Sequence, residues 1–242
     1  MVWQDLIETY DRQQDIRHIC PIAHTQILAH ICLLLDDNSN LLAGARVRQS
    51  VFAPCTVKSE CRTRNVAPHL IHDKISYVTN ITPQKHDAYM EQLSGYVADT
   101  DDYFAKIVLN YLRKETISND LRYFIDLKSN PNLVIAFGIR GQDYIAPMET
   151  WTDYYVSKLP KNGICALTGE SDFIPDAYPS NIRYSSDMAK LFCVKKDKLD
   201  GMPQIRPGYI ASQKIIHTLQ SFFVDWEEAE PKKEDVWIMQ KA

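Results

Sequence analysis

The sequence has no uninterrupted apolar stretch near the roughly 20 residues that a membrane-spanning helix needs. Its first residues, MVWQDLIETYDRQQD, lack the basic and apolar regions of a secretory signal peptide. We therefore expect a cytoplasmic protein with no membrane partner. The sequence also lacks the phosphate loop G-x-x-x-x-G-K-[ST], the G-x-S-x-G nucleophile elbow and the H-E-x-x-H metal helix. These absences leave the common hydrolase classes without support.

Cysteine spacing gives no metal signature either. The cysteines are irregularly spaced and include no C-x-x-C pair: Cys20, Cys32, Cys55, Cys61, Cys165 and Cys193. Histidines stand near the first two, at His18, His24 and His30. Structural zinc sites, however, usually join two knuckles whose ligands lie two to four residues apart. We expect free thiols, no metal and no cofactor.

The composition is typical of a globular protein. Of 242 residues, 45% are hydrophobic and 24% are charged, with a formal net charge of −4. This length can bury a substantial core in one large domain or two small ones. The element pattern predicts an α+β fold, a mixed domain with a long antiparallel β-hairpin, a central helical cluster and short strands in the C-terminal half.

The first elements follow from apolar spacing. A helix ending near Cys20 is expected because apolar residues recur at helical spacing, at Val2, Leu6, Ile7 and Tyr10. Apolar stretches within residues 22–52 flank the turn-forming run Asp36–Asn40, which predicts a long β-hairpin. Its second strand carries Arg46 and Arg48 two residues apart and therefore on one face.

Helices are predicted through the middle of the chain. Thr82 and Pro83 are typical of an N-cap followed by proline at the first helical position. We expect four helices here: one that begins at Pro68 and contains Leu70 to Val78, one from Pro83 toward Val97, one after the acidic run Asp99–Asp102, and a short one over Ser118–Lys128.

The C-terminal half mixes strands and helices. Leu133–Ile139 is short, β-rich and continuously apolar, which indicates a buried strand. Further elements are expected as a helix at Trp151–Leu159, a strand at Ile164–Leu167, a helix at Tyr209–Val224 and a last strand at Val236–Met239. Residues 225–235 hold six acids and two lysines, so they form either a solvated connector or a turn.

Positive charge is concentrated in one segment, although the chain as a whole has a negative net charge. Residues 46–74, which we call the basic segment, carry a local net charge of +4. The basic members are Arg46, Arg48, Lys58, Arg62, Arg64 and Lys74, against the acids Glu60 and Asp73. Such a concentration is an electrostatic footprint for an anionic polymer. The ordinary alternative is a solvated loop whose cations pair with acids elsewhere.

The residue types in the basic segment suit contact with duplex DNA. Arg62 and Arg64 can form forked hydrogen bonds to phosphate or guanine, whereas Lys58 and Lys74 offer point charges suited to phosphate. Short polar groups that can register a protein on a backbone are Ser59, Thr63 and Asn65. Lys161, in the turn before Gly163, could add a cation and exposed backbone N–H groups, although an ordinary turn explains it equally well.

A second basic stretch and a candidate metal site offer two alternatives. Residues 183–206 carry a local charge of +3, which could extend a binding track or could serve solubility alone. His69, His72 and Asp73 with Glu60 could hold a divalent cation for a nuclease, but no catalytic motif is complete. We expect instead that Asp73 pairs with a nearby cation and that the histidines pack or cap the loop. We therefore expect a protein that is not an enzyme.

Four segments in order resemble the large subunit of the type I-C CRISPR surveillance complex, Cascade. In the basic segment these are Pro54-Cys55-Thr56, Ser59, Arg62-Thr63, Ala67-Pro68-His69-Leu70 and Asp73-Lys74. Further along they are Lys85-His86-Asp87-Ala88-Tyr89 with Glu91-Gln92-Leu93, Cys165 with Leu167-Thr168-Gly169-Glu170, and Tyr209 with Ala211-Ser212-Gln213-Lys214. Members of that family are usually much longer. The resemblance therefore implies an N-terminal DNA-recognition domain at residues 1–224, and a connector and last strand at 225–242 leading to a helical domain.

The resemblance also implies a function and partners. The domain would recognise the protospacer-adjacent motif (PAM) in double-stranded DNA without catalysis, start duplex opening for the crRNA-guided complex, and support recruitment of the helicase-nuclease. Its partners would be PAM duplex DNA, the crRNA-bound Cascade backbone subunits and that helicase-nuclease, while the isolated domain is expected to be a monomer. A subunit-docking or DNA-backbone role is implied for Ser212, Gln213 and Lys214, although core packing explains most of that helix equally well. The rival class is a protein-docking module whose basic segment meets an acidic partner.

Overall fold

The computed structural model describes residues 2–13, 19–63, 65–122, 124–141, 148–183, 187–194, 205–223 and 236–238. The chain divides into two compact units. Residues 1–24, 56–61 and 149–226 form the helical unit, and residues 25–55, 62–148 and 227–242 form the sheet unit. None of the helices in the described ranges has the length and apolar character needed to cross a bilayer.

The sheet unit is built on the predicted hairpin, which is confirmed. Strands β1 (His24–Leu35) and β2 (Leu41–Pro54) are neighbours in the sheet. The turn between them forms because Asp36 Oδ1 accepts the backbone N–H groups of Asn38 and Asn40, at 3.0 and 2.6 Å. Asp36 thus supplies locally the bonds that reverse the chain. A connection this short makes the two strands antiparallel.

The predicted buried strand is also confirmed, as β4 (Val134–Ile139), and all its residues are buried. It runs parallel to β1, with Ile31 opposite Ile135 and Leu35 opposite Ile139. On its other edge it pairs antiparallel with the two-residue strand β3 (Asp73–Lys74). The complete order among described residues is β3-β4-β1-β2 followed by an edge strand, β7 (Val236–Ile238), so the apolar strand β4 lies inside the sheet and is shielded from solvent.

The helical cluster of the sheet unit contains α3 (Ile75–Val78), α4 (Pro83–Thr100), α5 (Tyr103–Leu112) and α6 (Ile117–Leu121). The predicted starts of α4 and α5 are confirmed. Pro83 begins α4, and the Asp102 carboxylate caps α5 by accepting the Ala105 N–H at 2.9 Å.

Two helix predictions in this unit are wrong in extent. No helix begins at Pro68: residues 66–72 are irregular, and β3 precedes a single turn, α3. Pairing of Asp73 and Lys74 with β4 prevails over the local helical pattern. The helix predicted over Ser118–Lys128 is the shorter α6, and only turns and irregular backbone follow among the described residues up to 128.

The helical unit contains α1 (Val2–Gln13), α2 (Val57–Glu60), α7 (Glu149–Ser157) and α8 (Tyr209–Phe223), with a small pair of strands, β5 (Gly163–Ile164) and β6 (Ser171–Asp172). The strand predicted over Ile164–Leu167 is shorter because the chain turns at residues 166–168. Helix α1 packs along α8. Their shared core comprises Ile7, Cys165, Tyr178, Ile182, Phe192, Ala211, Ile215 and Ile216.

The last described strand, β7 (Val236–Ile238), returns to the sheet unit. It pairs antiparallel with β2, with Ala43 opposite Ile238 and Ala45 opposite Val236. The predicted last strand is therefore present as an edge strand. The acidic residues 225–235 that precede it lie outside the described residues.

Gly44 in β2 is required by close packing. A Cβ at this position would lie 2.5 Å from the Phe124 Cζ atom and 3.2 Å from a Leu33 methyl. We expect Gly44→Ala to lower the free energy of unfolding by about 1–3 kcal/mol, the usual cost of overpacking. Urea denaturation measures this. The control is Gly95→Ala in α4, where a Cβ meets nothing within 4 Å and about 0.5–1 kcal/mol should be gained. Unchanged stability of Gly44→Ala would show that Phe124 moves aside freely.

Candidate functional site

The basic segment begins on β2 with Arg46 and Arg48, both exposed. Arg46 is bonded within the sheet unit, because its Nε donates to the Phe124 carbonyl at 3.1 Å and its terminal nitrogen donates to the same oxygen. Arg48 lies near His30, whose pKa is lowered first by burial and then by this positive charge. Of this pair, Arg48 is the better placed to meet an external anion.

Helix α2 in the helical unit carries Lys58 and Ser59. The Ser59 N–H donates to Thr56 Oγ1 at 3.1 Å, and the Thr56 N–H donates to Ser59 Oγ at 2.8 Å. This reciprocal arrangement is a capping box. Ser59 is buried and serves the helix start, whereas Lys58 is exposed. Only Lys58 of these two can contact a phosphate in this conformation.

Helix α2 is fixed within the helical unit by two further contacts. The Val57 N–H donates to the Tyr155 hydroxyl at 2.9 Å. The Gln213 Nε2 atom lies 3.0 and 2.9 Å from the two carboxylate oxygens of Glu60. Burial raises the pKa of the Glu60 carboxyl to about 7, although the hydrogen bond from Gln213 acts in the opposite direction. An acid that would be ionised in water is therefore close to half protonated at neutral pH.

The implied docking residues on α8 have different exposures. Ser212 and Gln213 are buried, and Ser212 Oγ donates back to the Tyr209 carbonyl at 2.8 Å. Lys214 is partly exposed and pairs with Asp11 at 2.6 Å. Direct contact with a partner is thus available to Lys214, while Gln213 is engaged with Glu60.

The chain enters the sheet unit at Arg62, and an ion pair dominates the next twelve residues. The terminal nitrogens of Arg62 donate to the two oxygens of Asp73 at 2.8 and 2.5 Å, and one of them also donates to the Ala67 carbonyl at 2.9 Å. The guanidinium lies over the Tyr77 ring, 4.7 Å from its centre. The Arg62 side chain is 13% exposed and that of Asp73 is fully buried.

Asp73 accepts two more hydrogen bonds, from the backbone N–H groups of His69 and Lys74 at 2.8 and 2.7 Å. The Ala67 N–H donates to the Tyr77 hydroxyl at 3.3 Å. One carboxylate and one ring therefore hold the returning half of the loop. Between these fixed points lie the exposed residues Thr63, Asn65 and Val66, which we call the loop tip. Arg64 lies outside the described residues.

Lys74 is half-buried beside this ion pair. Burial, followed by the neighbouring Arg62 charge, lowers the pKa of Lys74. It immediately follows Asp73 in β3 and forms the N-cap position of α3. Its place in a short strand gives it a fixed backbone from which the ammonium can contact a phosphate.

Two lysines that lie far apart in the sequence come together in the helical unit. Lys161 and Lys214 line one cavity of about 280 Å³, with Thr168 and Ser171 among its polar residues. Its acidic residues are Glu170 and Asp172. The cavity is therefore mixed in charge. In the second basic stretch, Arg183 is paired with Asp187 at 2.9 Å, and residues 195–204 lie outside the described ranges.

The residues considered for a nuclease have structural partners. His72 Nδ1 accepts the Phe137 N–H at 3.1 Å, and His72 packs against the Phe104 ring. Burial lowers the pKa of His69 to about 3. Within the described residues, no three His, Cys, Asp or Glu side chains converge as a metal site would require.

Sequence reasoning missed the contacts of Tyr155 and Gln213 with α2, and it did not identify Arg62 as the cation that pairs with Asp73. Gln213 entered only as a matched residue with an implied docking role. A usable signal existed for Asp73, because it lies between the apolar pairs Leu70-Ile71 and Ile75 with Tyr77-Val78. An acid placed in such a run is buried and needs a cation.

Comparison with known proteins assigns the family. No curated protein matches the chain. Residues 6–200 match the family model described as CRISPR-associated protein (Cas_Csd1). This match covers well over half of the chain, including α2, the basic segment and the cavity-lining turn at residues 166–170. The chain therefore belongs to the Csd1 family of CRISPR-associated proteins.

Proposed function

We propose that this CRISPR-associated protein is the N-terminal domain of a type I-C Cascade large subunit and that it recognises the PAM in double-stranded DNA. The observation that carries the proposal is the loop of residues 62–74, whose ends and returning half are held by buried and partly buried hydrogen bonds while its polar tip is exposed. A fixed loop presenting short polar side chains suits contact with base edges, since recognition requires donors and acceptors in set positions.

Charge in the basic segment supports the same function. In the sheet unit, Lys74 and Arg48 are cations that can contact phosphates and hold the duplex in register, and Lys58 of the helical unit is an exposed cation that can contact phosphate in its own right. Thr63 and Asn65 at the tip offer the base-edge contacts, together with Arg64. Specificity beyond the PAM would come from pairing of DNA with the crRNA. The domain would then be non-catalytic, would start duplex opening, and would act with the crRNA-bound Cascade subunits and the helicase-nuclease.

The test is a fluorescence-anisotropy titration of the 242-residue chain against short duplexes that differ only in one trinucleotide. We expect selected trinucleotides to bind more tightly, and Thr63→Ala with Asn65→Ala to remove the preference at a loss of about 1–3 kcal/mol per base contact. Lys58→Ala should weaken all duplexes alike and reduce the salt slope by about one. The control is Lys106→Ala on α5, outside the basic segment.

Two results would contradict the proposal. Equal affinity for every trinucleotide at low and high salt would exclude PAM recognition by this chain. The second result is tight binding to an acidic protein that duplex DNA does not displace. Because DNA bound at the basic segment would compete for that surface, this result would support the protein-docking alternative instead.

A further inference from the structure

We infer that Arg62 serves DNA recognition as a positioning residue, acting through Asp73 to set the conformation of the loop tip, and does not itself contact a base. The inference rests on the proposed function, whose loop it concerns. It predicts that Asp73, whose side chain has no exposed surface, matters for the sequence preference as much as Arg62 does.

The terminal nitrogens of Arg62 already use their forked edge within the loop. A guanidinium contacts guanine through two N–H groups that point in the same direction. In Arg62 the two terminal nitrogens already meet the two Asp73 oxygens in this forked manner, and one also bonds the Ala67 carbonyl. The same edge cannot bind a base without first releasing a buried carboxylate.

Separating Arg62 from Asp73 would cost free energy. Asp73 is fully buried, so an Asp73 carboxylate left without Arg62 would be a buried charge retaining only backbone donors. Arg62 would also leave the Tyr77 ring. Binding to DNA would have to compensate for both losses before gaining any affinity.

The bonds of Arg62, Asp73 and Tyr77 also hold the backbone between residues 62 and 73. Arg62 and Asp73 are eleven residues apart, and between them the backbone is held at the Ala67 carbonyl, the Ala67 N–H and the His69 N–H. These bonds hold the backbone on both sides of the loop tip. Two exposed polar side chains, Thr63 and Asn65, stand between these held points. The ion pair therefore determines where the tip side chains point.

The experiment compares Arg62→Ala, Asp73→Asn and their double mutant by anisotropy against the trinucleotide duplex series. A positioning role predicts that the two single variants lose the same trinucleotide preference to the same degree, about tenfold to hundredfold, which is the value of the tip contacts. The double mutant should be no worse than either single variant, because both remove one unit. Tyr77→Phe, which removes only the hydroxyl that accepts the Ala67 N–H, should give a smaller loss with the same pattern.

Controls separate folding from recognition. Thermal unfolding is recorded for each variant, and Tyr77→Phe keeps the test informative if Asp73→Asn fails to fold. The matched control is the exposed pair Lys106 and Asp101, whose variants Lys106→Ala and Asp101→Asn should leave binding unchanged.

Each outcome has one meaning. If Arg62→Ala relaxes preference at a single base pair and lowers the salt slope by about one, while Asp73→Asn or Tyr77→Phe binds as the wild type does, Arg62 contacts DNA directly and the inference is wrong. If the wild-type chain shows no trinucleotide preference, the proposed function itself fails. The two failures are distinguished by the wild-type titration alone.

Discussion

Asp73→Ala is expected to lower the free energy of unfolding by about 3–5 kcal/mol, which is typical when one partner of a buried ion pair is removed. The carboxylate accepts two bonds from Arg62 and two from backbone N–H groups, and its side chain is fully buried. Removing it leaves a largely buried guanidinium with only the Ala67 carbonyl and the Tyr77 ring.

The measurement is urea denaturation with the free energy obtained by linear extrapolation. Asp101→Asn is the control, because Asp101 is an exposed acid whose ion pair with Lys106 should contribute under about 1 kcal/mol, and asparagine tolerates the left-handed backbone at this position. Arg62→Ala combined with Asp73→Ala should be less destabilised than the two single losses added together. A loss below about 1 kcal/mol for Asp73→Ala would mean that the loop opens at little cost, and the fixed tip would lose its physical basis.

The sequence predicts most of the scaffold because local signals there agree with tertiary packing. Asp36 to Asn40 favours a turn and the flanking residues favour strands, so the hairpin forms as expected. Asp102 caps α5 from within its own segment. Each of these elements is determined by residues that are close together in the chain.

The helix expected from Pro68 fails for the opposite reason. The spacing of Leu70, Ile71, Ile75 and Val78 is helical, but Asp73 and Lys74 are taken into the sheet by β4, about sixty residues later. The same long-range pairing buries Asp73 and thereby selects Arg62 as its partner. Cationic loop residues look alike in sequence, so which of them pairs internally and which remains exposed depends on a contact that local patterns do not encode.

A second large effect is expected at Glu60, where stability should depend on pH. The folded protein raises the pKa of this carboxyl from its usual 4.5 to about 7 through burial. The folded state therefore binds a proton more tightly than the unfolded state does. The contribution of Glu60 to stability is fully present below pH 4.5 and is lost as pH rises to about 7, by about 3 kcal/mol in total.

The partner of Glu60 accommodates the neutral form. Gln213 Nε2 donates to the carboxylate, while Gln213 Oε1 has no hydrogen-bond partner among the described residues. A protonated Glu60 carries the O–H donor that this oxygen lacks, and its other oxygen can still accept from Nε2. Nearby thiols do not titrate in this range, because burial raises the pKa of Cys61 to about 12 and that of Cys20 well above its usual value.

We therefore expect Glu60→Gln to match the wild type at pH 4.5 and to exceed it by about 3 kcal/mol at pH 8, since a neutral amide of the same shape keeps the bond to Gln213. Urea denaturation at four pH values between 4.5 and 8 measures the difference. Burial lowers the pKa of His24 and His217 to about 4, so these histidines add their own pH dependence, but it is common to both proteins and cancels. Glu149→Gln, an exposed change of the same kind, should show no such trend. A difference that stays constant from pH 4.5 to 8 would mean that folding does not raise the pKa of Glu60, and the hydrogen bonds of α2 to α8 would then hold a charge rather than a neutral acid at neutral pH.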